Sequence, residues 1–287
     1  MISTKIIDLT SFKIDKNGIY RSNNTGKQKT NTSEVWNKIY NFNVNELIKM
    51  HSAFNRDKLG DLLKYFDLDL LKNKPFVYLE IGCGPAFLGK HLLDKYKCIF
   101  VGVDLNYNAL LQLKRFFEHY KIEQEKYVLI ESDIRSMPLK DDSIDLVYGG
   151  GVIEHIPNTE VVLNELHRIL KRDGTSVNSV PALNLFWLTR FFMSIPNLPL
   201  IKKLFETIHI NILKEKILSK FYGYELSFTQ NKLKELHKKA GFKNIKTGCF
   251  SFHPNIQKIK SKQLYDLYYN MTRNKITTPF YFVTGNK

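Results

Sequence analysis

Cysteine is scarce in this sequence, and long hydrophobic runs are absent from it. The three cysteines, Cys83, Cys98 and Cys249, lack the spacing of metal ligands, so neither a disulfide framework nor a metal site is predicted. Scattered cysteines of this kind favour a reducing, cytoplasmic setting. No stretch approaches the roughly 20 uninterrupted apolar residues of a membrane-spanning helix, and residues 1–18 lack the apolar core of a signal peptide.

Acidic residues are outnumbered by basic ones. The chain has 28 Asp and Glu against 43 Lys and Arg, a formal net charge of +15. Such an excess attracts anionic partners over long distances, which makes nucleic acid a rival to a small-molecule substrate. Most of the excess is lysine spread along the chain rather than gathered in one segment. At 287 residues the chain can form one large domain or one domain with an appendage.

A glycine-containing turn is the most informative feature that the sequence does have. Residues 79–92 read LEIGCGPAFLGKHL, an apolar run followed by Gly82, Gly84 and a helical pattern. Glycines at such a turn let the backbone come close to a ligand at the end of a buried strand. The third glycine of a dinucleotide-binding G-x-G-x-x-G motif is replaced by Phe87, so that motif is incomplete.

Three further residues indicate the kind of ligand. Pro85 removes one of the N–H groups that a pyrophosphate needs at a helix N-terminus, and Glu80 adds negative charge nearby. Asp104 lies 22 residues after Gly82, at the end of the next apolar run, where its carboxylate can accept hydrogen bonds from two ribose hydroxyls. The pattern favours an adenosine ligand with a positive end and no phosphate. S-adenosylmethionine is such a ligand.

Short apolar segments alternate with segments of helical period after residue 75. The predicted strands are Phe76–Gly82, Cys98–Asp104, Tyr127–Asp133, Ile144–Gly150, Gly174–Pro181, Lys243–Ser251 and Pro279–Gly285. The predicted helices between them are Phe87–Tyr96, Asn106–Tyr120 and Thr159–Lys171. This alternation predicts an α/β fold with a parallel sheet and helices on both faces. Ligands of such sheets bind beyond the carboxyl ends of the strands.

Four segments, in order, carry a resemblance to a known family. They are LEIGCGPAFLG at 79–89, VGVDLN at 101–106, ESDIRSMPLKDDSIDLVYGGGVIEHIPN at 131–158, and LNELHRILKRDGTSVNSVP at 163–181 followed by SFTQNKLKELHKKAGFKNI at 227–245. On these segments the chain resembles class I S-adenosylmethionine-dependent methyltransferases, in the group that acts on small molecules and lipids. The sequence departs from the family pattern at Ala86, where the loop has a third glycine, and at Asp173, where a Gly-Gly pair begins.

The resemblance implies a cofactor, a fold and a set of binding residues. The cofactor is S-adenosylmethionine, and the fold is a doubly wound, mostly parallel seven-stranded sheet whose last two strands form an antiparallel edge pair. Gly82 and Gly84 are expected to approach the methionine part of the cofactor, Asp104 to bind the ribose, and Asp133 to face the adenine. The full predicted cofactor-binding set is Glu80, Gly82, Cys83, Gly84, Asp104, Leu105, Asp133, Ile134, Gly149 and Gly150. The alternatives for these residues are an ordinary turn, a helix cap and a solvated loop carboxylate.

His155, in GGGVIEHIP after the fourth strand, is the candidate catalytic residue. A histidine near the transferred methyl group can take a proton from a hydroxyl acceptor. Methyl transfer from a sulfonium is an in-line displacement, however, and alignment alone accelerates it. Packing of the loop before Pro157 is therefore the alternative role of His155.

Two regions lie outside the motifs. Residues 1–74 form a predicted N-terminal extension, with a β-hairpin around Asn17-Gly18 and helices at Glu34–Met50 and Arg56–Leu71. Residues 182–226 form a predicted helical lid insertion, with a helical face from Leu185 to Ile195, breaks at Pro196 and Pro199, and an amphipathic run from Ile208 to Leu218. Residues 75–181 and 227–287 make up the predicted cofactor-binding domain. By its position, the extension is expected to cover the cofactor pocket.

The predicted function is in-line methyl transfer to a small, apolar or aromatic, lipid-like acceptor. The lid has an aromatic-rich face and a basic face, which is compatible with peripheral membrane contact, with packing on its own domain or with a dimer interface. Nucleic-acid methylation is the alternative activity, but Tyr148-Gly-Gly-Gly stands where amino-methylating nucleic-acid enzymes have an Asn/Asp-Pro-Pro-aromatic motif. The sequence is also compatible with a non-catalytic S-adenosylmethionine-binding protein. A dinucleotide oxidoreductase is disfavoured by Pro85 and Phe87.

Overall fold

The computed structural model describes residues 6–8, 12–22, 36, 40–66, 74–191, 193–208, 223–250 and 261–287. The strands are β1 (Phe12–Ile14), β2 (Tyr20–Ser22), β3 (Phe76–Ile81), β4 (Cys98–Asp104), β5 (Tyr127–Glu131), β6 (Ile144–Gly150), β7 (Leu170–Pro181), β8 (Ile195–Pro196), β9 (Leu226–Ser227), β10 (Lys243–Phe250) and β11 (Phe280–Asn286). The α-helices are α1 (Val44–Asp57), α2 (Leu59–Leu63), α3 (Phe87–Lys95), α4 (Tyr107–His119), α5 (Thr159–Ile169), α6 (Pro199–Thr207), α7 (Gln230–Lys239) and α8 (Lys262–Met271).

A single large sheet organises the described part of the chain. Its strand order is β1-β2-β5-β4-β3-β6-β7-β11-β10. Strands β3 to β7 pair in parallel, and β10 and β11 form an antiparallel pair at one edge, with β11 joined to β7. The α/β class and the antiparallel edge pair are therefore confirmed. The predicted strand count of seven is wrong, because the described sheet has nine strands.

The N-terminal hairpin provides the two additional strands. Strands β1 and β2 are antiparallel around the Asn17-Gly18 turn, as predicted, and Gly18 has the positive φ of 75° that such a turn requires. Strand β2 then pairs in parallel with β5, with Tyr20 opposite Ile130. The hairpin thereby covers a sheet edge that would otherwise present unpaired backbone groups.

Apolar side chains cover both faces of the sheet. Strand β3 is buried along its whole length, which explains its uninterrupted apolar sequence. One core cluster joins the sheet to α5 and α7 through residues such as Leu163 and Leu233. The other joins it to α1, α3 and α4 through residues such as Leu47, Leu88 and Phe116. The two helical layers hold the carboxyl ends of β3, β4 and β6 at one common edge.

The helices of the N-terminal extension begin later than predicted. Helix α1 starts at Val44, because Asn43 and Glu46 form a capping box in which each side chain accepts the other residue's N–H. Residues 40–43 are not helical, and residues 34, 35 and 37–39 of the predicted helix lie outside the described residues. The second predicted helix is reduced to α2, and residues 67–71 of it also lie outside the described residues.

The region predicted to be a helical lid has a different helix pattern. Residues Leu185–Arg190 form a short 3-10 helix instead of part of an α-helix, and Ile195 is in a strand. Pro199 begins α6 rather than ending a helix, because proline is favoured in the first helical turn, where no N–H is required. Residues 209–218 of the predicted amphipathic run lie outside the described residues. No described helix is long and apolar enough to cross a membrane.

Candidate functional site

The turn between β3 and α3 is held in a conformation that favours glycine. Gly82 and Gly84 have φ values of 51° and 45°. A Cβ on Gly82 would lie 2.8 Å from Val152 Cγ2, and a Cβ on Gly84 would lie 3.2 Å from Tyr40 Cε1. Ala86 also has a positive φ, 44°, which is uncommon for a residue with a side chain. The turn therefore brings bare backbone to the end of β3.

Asp104 ends β4 beside this turn. Its Oδ2 accepts the N–H of Gly84 at 3.0 Å, and its Oδ1 accepts the N–H of Asn106 at 2.8 Å. Burial raises the pKa of this carboxyl, and these backbone hydrogen bonds act in the opposite direction. Each carboxylate oxygen can accept two hydrogen bonds, so Asp104 retains the capacity to accept from a ligand.

A cleft opens at this edge of the sheet. It encloses about 610 Å³, the space at its open mouth included. It is lined by Trp36, Tyr40, Gly82, Asp104, Leu105, Ile134, Gly150, Gly151, Val152, His155 and Ile156. These lining residues include the Asp104 carboxylate but no Lys or Arg, so a bound phosphate would lack a cationic partner. The cleft thus fits a ligand with ribose hydroxyls and a positive charge better than a dinucleotide.

The structure brings six of the predicted site residues together in the cleft: Gly82, Asp104, Leu105, Ile134, Gly150 and His155. The other five, which are Glu80, Cys83, Gly84, Asp133 and Gly149, lie around it without lining it. Packing explains why glycine stands at position 149, because a Cβ there would lie 2.6 Å from Asn178 Oδ1. The cofactor roles of all these residues stay predictions.

Glu80 and Asp133 are buried carboxyls with partners inside the protein. Glu80 accepts hydrogen bonds from the Tyr78 hydroxyl at 2.9 Å and the Gly89 N–H at 3.3 Å, and burial raises its pKa to about 8. It therefore ties the end of β3 to α3. Asp133 pairs with the guanidinium of Arg135 at 2.5 Å and accepts the Arg135 backbone N–H at 2.9 Å.

Two aromatic residues of the N-terminal extension line the cleft, and sequence reasoning did not name them. Trp36 and Tyr40 stack with ring centroids 5.8 Å apart, and Trp36 meets His155 edge-on at 5.3 Å. Gln112 on α4 anchors this segment, because its Nε2 donates to the Tyr40 carbonyl at 2.7 Å and its Oε1 accepts the Phe42 N–H at 3.1 Å. The signal in the sequence that could have identified them is that Trp36 and Tyr40 are two aromatic residues one helical turn apart.

His155 has a defined hydrogen-bonding state. Its Nδ1 lies 2.8 Å from the carbonyl oxygen of Tyr224, which can only accept, so Nδ1 carries the proton. Nε2 is then left as an acceptor in the neutral ring. Burial lowers the pKa of His155 to about 4, so the ring stays neutral near pH 7. A neutral histidine in the cleft wall can accept a hydrogen bond or a proton.

Comparisons with known proteins agree with this geometry. A family model described as a methyltransferase domain matches residues 79–177. Malonyl-[acyl-carrier protein] O-methyltransferase of Legionella pneumophila is 33% identical over 108 residues, which are 37% of this chain and 37% of that protein. Demethylmenaquinone methyltransferase of Lactobacillus johnsonii is 28% identical over 169 residues, which are 55% of this chain and 65% of that protein. The chain thus matches less than two thirds of the length of either relative.

A solved structure shows the same fold over most of the chain. Phosphoethanolamine N-methyltransferase 2 of Haemonchus contortus superposes with a TM-score of 0.58 at 15% identity, covering 89% of this chain and 60% of that one. The chain is therefore similar to the class I S-adenosylmethionine-dependent methyltransferases.

Proposed function

We propose that the chain is an enzyme that transfers a methyl group from S-adenosylmethionine to a small-molecule acceptor. One observation carries the proposal: the cleft at the carboxyl ends of β3 and β4 combines the Asp104 carboxylate with glycine backbone and has no Lys or Arg in its described lining. A ligand with ribose hydroxyls and a cationic end matches such a cleft, whereas a pyrophosphate does not.

The cofactor would be held by residues of the cleft wall. Asp104 accepts hydrogen bonds from the ribose, and the backbone at Gly82 and Gly150 leaves room for the methionine part. Leu105 and Ile134 provide apolar contacts for the adenine. When bound, S-adenosylmethionine supplies a methyl group on a positively charged sulfur, which makes that methyl an activated electrophile.

The chain's own contribution is to exclude water, to align the acceptor and to hold a proton acceptor nearby. Trp36 and Tyr40 close one side of the cleft and reduce the access of water. Alignment lowers the entropic part of the barrier to in-line displacement. His155 Nε2 accepts a hydrogen bond, or the leaving proton, from the acceptor atom. His155 is thus the proposed catalytic residue.

The acceptor is proposed to have an apolar or aromatic, lipid-like body. The aromatic rings in the cleft wall support this, and so does the acceptor named for one of the two relatives, demethylmenaquinone. The described part of residues 182–226 would form a lid over that body. A nucleic-acid substrate receives no comparable support, since neither relative is named for one.

Peripheral membrane contact through residues 182–226 is a further part of the proposal. Leu188, Leu200 and Leu204 are exposed, Leu200 by 96%, and Lys202 and Lys203 lie on the same helix as the last two. Exposed leucines beside lysines suit the surface of an anionic bilayer. Binding to anionic liposomes at low salt tests it, and equal recovery with and without liposomes would dismiss it. The free thiols of Cys83 and Cys98 suit the proposed cytoplasmic location.

Calorimetry with S-adenosylmethionine, S-adenosylhomocysteine and NAD tests the cofactor. We expect both sulfur compounds to bind and NAD to show no heat. Binding of NAD without S-adenosylhomocysteine would contradict the proposal. Release of S-adenosylhomocysteine from a panel of aromatic and lipid-like acceptors then separates an enzyme from a non-catalytic binding protein.

A further inference from the structure

A short segment of the N-terminal extension borders the cleft and is held there by one side chain. We call this segment, residues 40–43 immediately before α1, the strap. Gln112 on α4 donates from Nε2 to the Tyr40 carbonyl at 2.7 Å, and its Oε1 accepts the Phe42 N–H at 3.1 Å. A residue of a parallel strand pairs in the same way with the carbonyl of one residue and the N–H two residues further on. The Gln112 amide therefore takes the place of a neighbouring strand.

The strap brings the Tyr40 ring onto the glycine turn. A Cβ on Gly84 would lie 3.2 Å from Tyr40 Cε1 and 3.3 Å from Tyr40 Cζ, so the ring approaches this closely because Gly84 has no side chain. The N–H of Gly84 in turn donates to Asp104 Oδ2 at 3.0 Å. Gln112, Tyr40, Gly84 and Asp104 thus form a continuous chain of contacts that ends at the proposed ribose carboxylate.

The strap also fixes Trp36 in the cleft wall. The Tyr40 N–H donates to the Trp36 carbonyl at 2.7 Å, and the two rings stack with centroids 5.8 Å apart. Trp36 then meets His155 edge-on at 5.3 Å. These three aromatic residues line the cleft, whereas Gln112 does not. A displacement of the strap would therefore change the cleft wall from the glycine turn to His155.

Tyr40 adds a hydrogen-bonding group to the cleft wall. Burial raises the pKa of its hydroxyl, and the nearby acidic groups of Asp104, Cys83 and Glu80 add to this effect. The phenol therefore stays protonated and neutral near pH 7. A protonated phenol can donate a hydrogen bond to a ligand while its ring excludes water from the turn.

We propose that Gln112 is a positioning residue that holds the strap over the bound cofactor and so sets the rate at which the cofactor is released. This inference rests on the proposed function and assigns retention of S-adenosylmethionine to a side chain outside the cleft. Tyr40 covers the turn that is expected to approach the methionine part, so the strap has to move before the ligand leaves. The two hydrogen bonds of Gln112 oppose that movement.

Tryptophan fluorescence and a dissociation rate test the inference. The chain has two tryptophans, so Trp187→Phe leaves Trp36 as the single reporter, and acrylamide quenching of Trp36 without ligand measures how open the strap is. In this background, Gln112→Ala should raise the quenching constant at least twofold and release S-adenosylhomocysteine at least threefold faster. Gln124→Ala is the matched control, because Gln124 is exposed before β5, and it should change neither value.

A double-mutant cycle separates positioning from a merely structural role. Tyr40→Leu removes the ring through which Gln112 is proposed to act, so Gln112→Ala should change the release rate less than twofold in that background. A threefold effect that persists with Tyr40→Leu would overturn the inference, as would a smaller effect of Gln112→Ala alone. If Gln112→Ala does not fold, judged by its circular dichroism, Gln112→Glu takes its place with the same expected direction. It keeps an acceptor for the Phe42 N–H but has no donor for the Tyr40 carbonyl.

The two measurements distinguish this inference from the proposed function. Failure of the unaltered protein to bind S-adenosylhomocysteine would contradict the proposed function, while quenching of Trp36 would still report whether Gln112 holds the strap. Binding of S-adenosylhomocysteine with an unchanged release rate in Gln112→Ala would contradict only the positioning role of Gln112.

Discussion

The backbone N–H of Gly84 donates a 3.0 Å hydrogen bond to Oδ2 of Asp104, and this bond joins the turn after β3 to the end of β4. The same carboxylate receives the Asn106 N–H on its other oxygen. Asp104 therefore stabilises the turn by accepting backbone hydrogen bonds, and it is also the proposed ribose contact. Replacing it with alanine would remove both functions at once, so asparagine is the sharper test.

Asp104→Asn should weaken the binding of S-adenosylhomocysteine at least tenfold. The substitution keeps one acceptor oxygen but removes the negative charge, and tenfold corresponds to about 1.4 kcal/mol. Calorimetry measures the change. Asp266→Asn, on the exposed face of α8, is the control and should bind like the unaltered protein. An affinity of Asp104→Asn within twofold of the original would refute the ribose assignment.

Gly82→Ala should destabilise the fold for two separable reasons. The new Cβ would meet Val152 Cγ2 at 2.8 Å, and the φ of 51° is unfavourable for alanine. We expect a loss of about 1–3 kcal/mol in the free energy of unfolding, measured with urea. In a double-mutant cycle, Val152→Ala should recover the part due to the contact and leave the part due to φ. Full additivity would mean that the contact contributes nothing.

Trp36→Ala should weaken the binding of S-adenosylhomocysteine about three- to tenfold and increase its dissociation rate. The substitution removes a ring from the cleft wall and from the stack with Tyr40. Calorimetry and a dissociation-rate measurement check this. Trp187→Ala removes the same side chain where it does not line the cleft, and it should leave both values unchanged. Deletion of residues 1–32 is less informative, since it would remove β1, β2 and the buried Ile19.

Stability should fall in acid partly because of His155. Its pKa is about 4 in the fold against roughly 6.5 unfolded, so the unfolded chain binds more protons as the pH falls from 6.5 towards 4. Between pH 7 and pH 5, the free energy of unfolding of the unaltered protein should fall by of the order of 1 kcal/mol more than that of His155→Gln, allowing for the partial exposure of the ring. Urea unfolding at both pH values measures the difference. A pH-independent difference would contradict the neutral buried histidine.

The centre of the fold could be predicted because its signals are local. Strands β4 and β6 have the predicted bounds, and β3 and β5 start at the predicted residues. Buried parallel strands require continuous apolar runs, and the turns between them require glycine or a cap, so each element can be recognised alone. The cleft residues Gly82, Asp104 and His155 follow from the same logic, because they lie at the ends of strands or in the turns that follow them.

The remaining parts depend on contacts between distant residues. Tyr20 pairs with Ile130 although the two are far apart in the chain, and nothing in FKI or YRS indicates that these strands join the main sheet. The start of α1 has a local signal, the Asn43–Glu46 capping box, which the prediction missed. The position of residues 40–42 over the cleft is instead fixed by Gln112, a tertiary restraint.

The sequence by itself determined the α/β core, the glycine turn and the resemblance to a methyltransferase family, because apolar periodicity and backbone geometry are properties of short segments. Only the tertiary structure decided which side chains share the cleft. Packing placed Trp36 and Tyr40 beside His155 and paired Arg190 with Glu225. These arrangements arise from hydrogen bonds and burial between segments far apart in the chain, which no local pattern records.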